Sequence, residues 1–425
     1  MKKVTQISGL SSLFILLLLV STSTYAQKIK PDADNAGLTL PAGFAALKVA
    51  DNVGRTRHIA VNKQGAIYAK LERLDNGKGI AVLKDTDGDG RAETKTTFAN
   101  YIGTGIAIKG NYLYAASNKE VFKYALNATG DIVDENAAAT IVTGLVDKGQ
   151  HNSKSITLDN AGNVYVNIGA PSNACQEKDR TKGSMGMMPC PILDSAGGIW
   201  QFKVDQLNQT YATGVRYATG LRNVVGLDWN NQLNQLFVTQ HGRDMLNNLY
   251  PDLYDTTVSA ELPSETMYAI NKGDNAGWPY IYYDHFKGKK MMAPEYGGDG
   301  VKTVDDKYIN PAMAFPAHMA PNGLLFYTGN QFPARYKNGA FIAFHGSWNR
   351  SPLPQEGYYV VFVPYENGKP TGKWEVFANG FSGKSVVKNP RDAQHRPCGL
   401  AEGPDGSLYV SDDVKGTIYR IMYQK

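Results

Sequence analysis

The sequence predicts an all-β chain folded as a six-bladed β-propeller with long inserted loops. Three observations carry the prediction. A turn bearing Gly or Asn, followed by alternating β-branched and aromatic residues, recurs six times: Gly65-Ala-Ile-Tyr-Ala69, Gly110-Asn-Tyr-Leu-Tyr-Ala115, Gly162-Asn-Val-Tyr-Val166, Asn234-Gln-Leu-Phe-Val238, Gly339-Ala-Phe-Ile-Ala343 and Gly406-Ser-Leu-Tyr-Val410. Each has the period-two pattern and the turn punctuation of a strand, while helical periodicity is nearly absent beyond the N-terminus. The units recur at about 66 residues, longer than the ~40–50 of compact propeller repeats, and the excess collects in unpatterned Gly-, Pro-, Asn- and Met-rich stretches at 171–198, 244–265 and 282–322. A ring of such units keeps its edges short and leaves a central channel where loops converge. An irregular pair of sandwiches is the competing architecture. Loops this long inside a compact domain usually serve function.

Residues 1–26 read as a secretory signal peptide. Lys2 and Lys3 supply the positive end, Leu13 to Val20 the apolar run, and Thr24-Tyr25-Ala26 the small-residue end. Residues 27–425 then form a single propeller domain, periplasmic or secreted. No later window is apolar over eighteen residues, so no membrane span is expected; without a Cys near the cleavage point, neither is a lipid anchor. Loss of Lys2 and Lys3 takes the formal charge from +5 to +3. That is too small and dispersed for a nucleic-acid partner and points to a small molecule. In an oxidising compartment Cys175 and Cys190, fifteen apart, can pair, with free thiols as the alternative; Cys398 is left over.

Polar residues at the strand entrances face the shared channel of such a ring. Gln150-His151-Asn152-Ser153 precedes the third repeat strand. Arg222-Asn223 precedes the fourth, and Gln240-His241-Gly242-Arg243 follows it. His345-Gly-Ser-Trp-Asn-Arg350 follows the fifth, and His395-Arg396-Pro-Cys-Gly399 precedes the sixth. Singly, an Arg is more often a surface ion-pair member and a His a satisfied structural residue. Repeated at equivalent blade positions, several Arg on one channel repel one another unless a polyanion lies between them. A ligand with several carboxylates or phosphates is therefore expected.

The order His-Asn-Ser, Gly-Leu-Arg-Asn, Gln-His-Gly, Gly-Trp-Pro and Arg-Pro-x-Gly-Leu-Ala-x-x-Pro-Asp-Gly-Ser-Leu-Tyr-Val, running from His151 to Val410, resembles the soluble quinoprotein glucose/sorbosone dehydrogenase family. Weaker similarity reaches back to Gly43. Any one motif is common; five in order carry the resemblance. Val166 to Gln176 and His345 to Pro352 look more like the sorbosone dehydrogenase branch. The resemblance implies a six-bladed propeller holding pyrroloquinoline quinone (PQQ) and Ca2+, a sugar or sugar-aldehyde substrate, and hydride transfer to the quinone. It implies that Arg222 binds the reactive quinone carbonyl with Asn223 beside it. Arg396 would bind a carboxylate, and His241, Trp348 and Arg350 would contact the cofactor. His151 matches the family's catalytic histidine, and neutral His is a suitable base near neutral pH. The family's second carboxylate-binding arginine falls at Cys398, its cofactor lysine has no Lys counterpart, and an acidic residue of glucose-type members is replaced by Ala170.

The resemblance assigns calcium to the backbone carbonyls of Gly242 and Arg243, which suit a hard cation. Asp85-Thr-Asp-Gly-Asp-Gly90 offers a second candidate: Asp85, Asp87 and Asp89 alternate as in the first half of an EF-hand loop, but position 12 is Thr96 rather than Glu, and a polar turn is the alternative. Thr104, Phe315 and His318 lie where the family places residues near the sugar. No Cys-x-x-Cys-His occurs, so a separate electron acceptor, a quinone or cytochrome, is expected. A calcium-dependent lactonase or other hydrolase, and a non-catalytic propeller that binds a polysaccharide or protein, are the competing readings. A hydrolase would want several carboxylate or Asn ligands on different blades, whereas the entrances offer Arg and His.

Overall fold

Each of the six repeats lies on the second strand of a blade of four antiparallel strands, to which blade three adds a fifth, parallel one. The structure is a computed structural model that describes residues 1–2, 29–304 and 307–424; apart from its first two residues, the signal-peptide assignment lies outside them. The innermost strands of blades one to six are Thr56–Val61, Ile106–Lys109, Ile156–Leu158, Val224–Asn230, Pro321–Phe326 and Pro397–Glu402, and they neighbour one another around the axis. Closure comes from the N-terminal strand Phe44–Ala50, which pairs antiparallel with Ile418–Tyr423 as the outermost strand of blade six.

The abundant aromatic and β-branched residues pack between blades. One core cluster fills each of the six interfaces. Phe44, Tyr336, Phe341 and Phe377 join blades five and six, for example, and Tyr165, Trp229 and Leu236 join blades three and four. Each such side chain removed from water stabilises by roughly 1.5–3 kcal/mol, so the ring is held by its seams.

Because each sheet is antiparallel, the entrance of every innermost strand and the exit of every second strand lie at the same end of the ring. Four innermost strands begin with a register shift at that end, at Thr56/Ile59, Val224/Leu227, Pro321/Gly323 and Pro397/Leu400. Such bulges re-aim side chains. Gly399 sits in one of them, where a Cβ would meet Arg57 O of blade one at 2.6 Å, so glycine is what lets the last blade close on the first.

The insertions roof this end over blades three and four. Residues 169–197 link the second and third strands of blade three, and 241–264 those of blade four, the latter carrying short helices at Leu246–Leu249 and Thr256–Glu261. The third insertion starts at 271, earlier than the composition suggested, because Asp274–Asn275 adds in parallel to the edge of blade three. Cys175 and Cys190 are disulfide-bonded; Cys398 is a buried free thiol.

Candidate functional site

Under this roof lies a cavity of about 310 Å³ whose walls include Gln150, His151, Arg180, Arg222, Asn223 and His241. Gly242, Asp244, Glu265, His318, Trp348 and Asn349 complete the polar lining. The volume is near the lower end of the ~300–1,000 Å³ common for small-molecule sites. Blades three, four and five all contribute, which is why no single stretch of sequence describes it.

His151 is fixed by its backbone and by one hydrogen bond. It has φ 52°, and Gly169 makes room for it, since a Cβ there would lie 2.6 Å from His151 Cβ. Its Nδ1 lies 2.6 Å from the carbonyl of Ala170. A carbonyl only accepts, so Nδ1 donates and the lone pair resides on Nε2. Burial and then the charge of Arg222 push its pKa down to about 3. The ring is neutral at any ordinary pH. Ala170 thus orients the histidine through its main chain.

Arg222 is almost wholly buried and nearly saturated. Its Nε donates to Asn173 O at 3.2 Å, Nη1 to Gly242 O at 2.8 Å, and Nη2 to Asn173 Oδ1 at 3.0 Å and Asp244 Oδ2 at 2.8 Å. Asp244 is the node of the site. It also accepts from Arg180 Nη2 at 3.0 Å and Asn349 Nδ2 at 3.0 Å, and His318 Nδ1 stands 3.7 Å away. Burial opposes its charge, but Arg222, His318 and Arg180 outweigh that and hold the carboxyl well below its usual range. Glu265, at the start of the third strand of blade four, has the opposite fate: burial pushes it up to about 8. It accepts from Gly242 N at 3.1 Å and Ala320 N at 3.4 Å.

His241 is also neutral, its pKa lowered to about 3 by burial and Arg222. Its Nε2 and the Oδ1 of Asn349 are buried without a partner in the protein. Unsatisfied buried polar atoms are costly, so the lining favours a polar occupant. Trp348 lies at the rim with 61% of its surface exposed.

Several expected site residues stand elsewhere. Arg350 is buried against Ala260 O and Ala317 O, both at 3.1 Å, and Glu261 Oε1 at 2.6 Å. Arg396 holds the carbonyls of His345 and Gly346. Both tie loops together, and neither lines the cavity. The side chain of Arg243 turns away from the cavity onto Glu295 at 2.6 Å and 2.5 Å. Thr104 is buried, accepting from Arg57 Nε at 3.2 Å, and Phe315 lies in the seam between blades four and five. Asp85, Asp87 and Asp89, with Glu93, bring carboxylate oxygens within 4.8 Å of one another. They link the third and fourth strands of blade one, so they lie at the opposite end of the ring.

The sequence reading missed Asp244, Arg180 and Glu265. Asp244 directly follows the Gln-His-Gly-Arg motif, and that adjacency was a usable signal; Arg180 gave none, since only the loop's folded path brings it to the wall.

A six-bladed propeller with a roofed, off-axis cavity of neutral imidazoles, guanidinium groups and one ionised carboxylate defines the class as a ligand-binding propeller of enzyme type. The chain belongs to the TrAA12-like family, whose model matches residues 38–424. It is 23% identical over 418 residues to a pyrroloquinoline quinone-dependent sugar dehydrogenase of Hypocrea jecorina, covering 91% of this chain and 90% of that one. It is 32% identical over 210 residues to an uncharacterized protein of Borreliella burgdorferi, a match spanning 49% of this chain and only 48% of that protein. In structure it is similar to the calcium form of the Trichoderma reesei carbohydrate-active enzyme of family AA12, with a TM-score of 0.73 at 19% identity, covering 94% and 99% of the two chains.

Proposed function

We propose that this chain is a PQQ- and calcium-dependent dehydrogenase that oxidises an aldose or a sugar aldehyde of the sorbosone type, with His151 as general base. The observation that carries the reading is the state of His151: a neutral imidazole with a fixed tautomer, its Nε2 lone pair free, in the wall of a cavity that also holds Arg222 and Asp244. The family and the Hypocrea relative's name support the cofactor. When bound, the quinone supplies the two-electron acceptor for the hydride that leaves the sugar carbon.

The protein's own residues do the rest. His151 Nε2 takes the proton of the sugar hydroxyl, a role that positioned side chains fill for about 10²–10⁴ in rate. Arg222 places a fixed positive charge at the cavity floor, and Asn223 and His241 flank it. Calcium, which takes about six to eight oxygens, would be held by the carbonyls of Gly242 and Arg243, the first of which also accepts from Arg222 Nη1 at 2.8 Å. Trp348 offers an aromatic face at the rim. The chain then passes electrons to a separate quinone or cytochrome, in the periplasm or outside the cell.

The test is reconstitution. Protein mixed with the quinone and calcium is expected to show a saturable absorbance titration and to bleach a redox dye with aldoses or sorbosone. His151→Ala is expected to lower turnover by at least ~10²-fold with the titration unchanged. Wild-type turnover in that variant would falsify the base assignment, and the absence of any titration in wild type would leave a binding scaffold.

A further inference from the structure

We infer that Arg180, carried by the disulfide-closed loop of blade three, is the cation that meets a carboxylate of the bound quinone. The inference rests on the cofactor reading above. Among the described residues, the cavity wall contains two guanidinium groups, Arg180 and Arg222, and no lysine. A tricarboxylate needs charge-assisted donors that are free to turn toward it. Arg222 leaves 4% of its side chain exposed, and four of its five N–H groups are engaged by Asn173, Gly242 and Asp244. Arg350 and Arg396 are committed to carbonyls outside the wall.

Arg180 differs on each count. Its side chain is 28% exposed. Its Nε and Nη2 share Gln150 Oε1 at 3.3 Å, and Nη2 reaches Asp244 Oδ2 at 3.0 Å. Nε also stands 3.8 Å from Asp179 Oδ2; Nη1 gives one hydrogen to the weak acceptor Met245 Sδ at 3.4 Å, which leaves its other hydrogen for a carboxylate.

The loop is built to hold this guanidinium in place. Cys175–Cys190 closes the segment that contains it. Asp179 beside it accepts from Ser172 Oγ at 2.7 Å, Asn173 N at 2.9 Å and Gln150 Nε2 at 2.9 Å. Gln176 Nε2 spans the turn to Thr181 O and Ser184 O, both at 3.0 Å. Asn173, two residues before Cys175, is the residue that grips Arg222. One loop therefore sets both cations of the wall.

The experiment is an absorbance titration of quinone with calcium, on wild type, Arg180→Gln, Arg180→Lys and the loop control Lys182→Gln, with melting temperatures recorded for each. Loss of one or two charge-assisted hydrogen bonds corresponds to roughly ten- to a hundred-fold in Kd. Arg180→Gln should weaken binding by that factor at an unchanged Tm, Arg180→Lys by less, and Lys182→Gln not at all. Reduction of the disulfide in wild type should weaken binding in the same direction. Equal affinity of wild type and Arg180→Gln overturns the inference while leaving the cofactor reading intact; no titration in wild type overturns the cofactor reading itself. If Arg180→Gln and Lys182→Gln weaken binding equally, the loop acts only as scaffold and the inference also fails.

Discussion

Two buried carboxylates at the same end of the ring are built alike and end differently. Asp244 bridges Arg222 at 2.8 Å and lies 3.7 Å from His318; Asp413 bridges Arg57 at 2.8 Å and His345 at 2.7 Å. In each, burial works against the charge, and the neighbouring Arg and His outweigh it, leaving the carboxyl well below its usual range. Yet Asp244 lines a cavity with 13% of its side chain exposed, whereas Asp413 keeps 4% and lines none of the cavity wall. The difference is the roof. Blades three and four carry the insertions that enclose space above their node, whereas the corresponding node between blades five, six and one lies outside that cavity, with Arg57 and His345 12% and 16% exposed. An Arg-carboxylate-His trio thus recurs in this ring, and the one beneath the insertions of blades three and four lines the cavity.

The largest expected effect breaks that symmetry. Removing one partner of a buried ion pair costs about 3–5 kcal/mol because the other charge is stranded, so Asp244→Asn and Asp413→Asn should lower the unfolding free energy by similar amounts in denaturant titrations. Function should separate them. Asp244→Asn frees Arg180 and loosens Arg222, and dye-reduction kcat/KM is expected to fall at least ~10-fold, while Asp413→Asn stays within about 3-fold. Equal kinetic loss in both variants would mean that the Asp413 trio supports the chemistry as much as the Asp244 trio.

Much of this plan was legible in the sequence. The six quoted repeats lie on the second strands of the six blades; those strands are mostly buried on both faces, so a short run of β-branched and aromatic residues behind a turn residue made them legible. His151, Arg222, Asn223, His241, Gly242, His318 and Trp348 come together at one cavity. Arg350 and Arg396 were placed at the right end but not on the right partners: strand position fixes where a side chain starts, and the carbonyls that capture it belong to loops without periodicity. Phe315 sits on the fourth strand of its blade and packs inward like the other aromatic residues of the seams. The closing strand Phe44–Ala50 escaped notice because its partner lies at the far end of the chain.

A middle-sized effect concerns pH and touches both trios. His58 is held down at about 4 by burial, His151 and His241 at about 3, and His318 and His345 are also lowered by burial. The unfolded chain therefore takes up protons that the folded chain refuses; this stability is complete above pH ~6.5 and is lost as the pH falls below it. Glu265 and Asp228, raised by burial to about 8 and about 7, act the other way, their contribution declining as the pH rises through those values. Thermal unfolding between pH 5 and 8 should show a maximum close to neutrality with the steeper limb on the acid side, where histidines outnumber the two carboxyls. Glu265→Gln should flatten the alkaline limb. In kinetics, the acid limb of kcat/KM should show no inflection near 6.5; one there would mean that His151 is not the neutral group that burial and Arg222 make it.

The smallest effect sharpens the contrast between the two ends of the ring. The loop of Asp85, Asp87 and Asp89 joins the third and fourth strands of blade one, and antiparallel alternation puts that connection opposite the cavity. Its carboxylates are largely spent on local main chain: Asp85 accepts from Gly88 N at 2.7 Å and Gly90 N at 2.8 Å, Asp87 from Asp89 N at 3.1 Å, and Asp89 from Arg91 N at 2.8 Å. Asp87 is exposed and holds only one of these, so Asp87→Asn keeps its acceptor and removes a charge from water, a change worth within about 0.5 kcal/mol. Quinone affinity and kcat are expected to match wild type in the same titration and dye assay. A loss of kcat there would couple the two ends through the ring, because no side chain of this loop reaches the cavity wall directly.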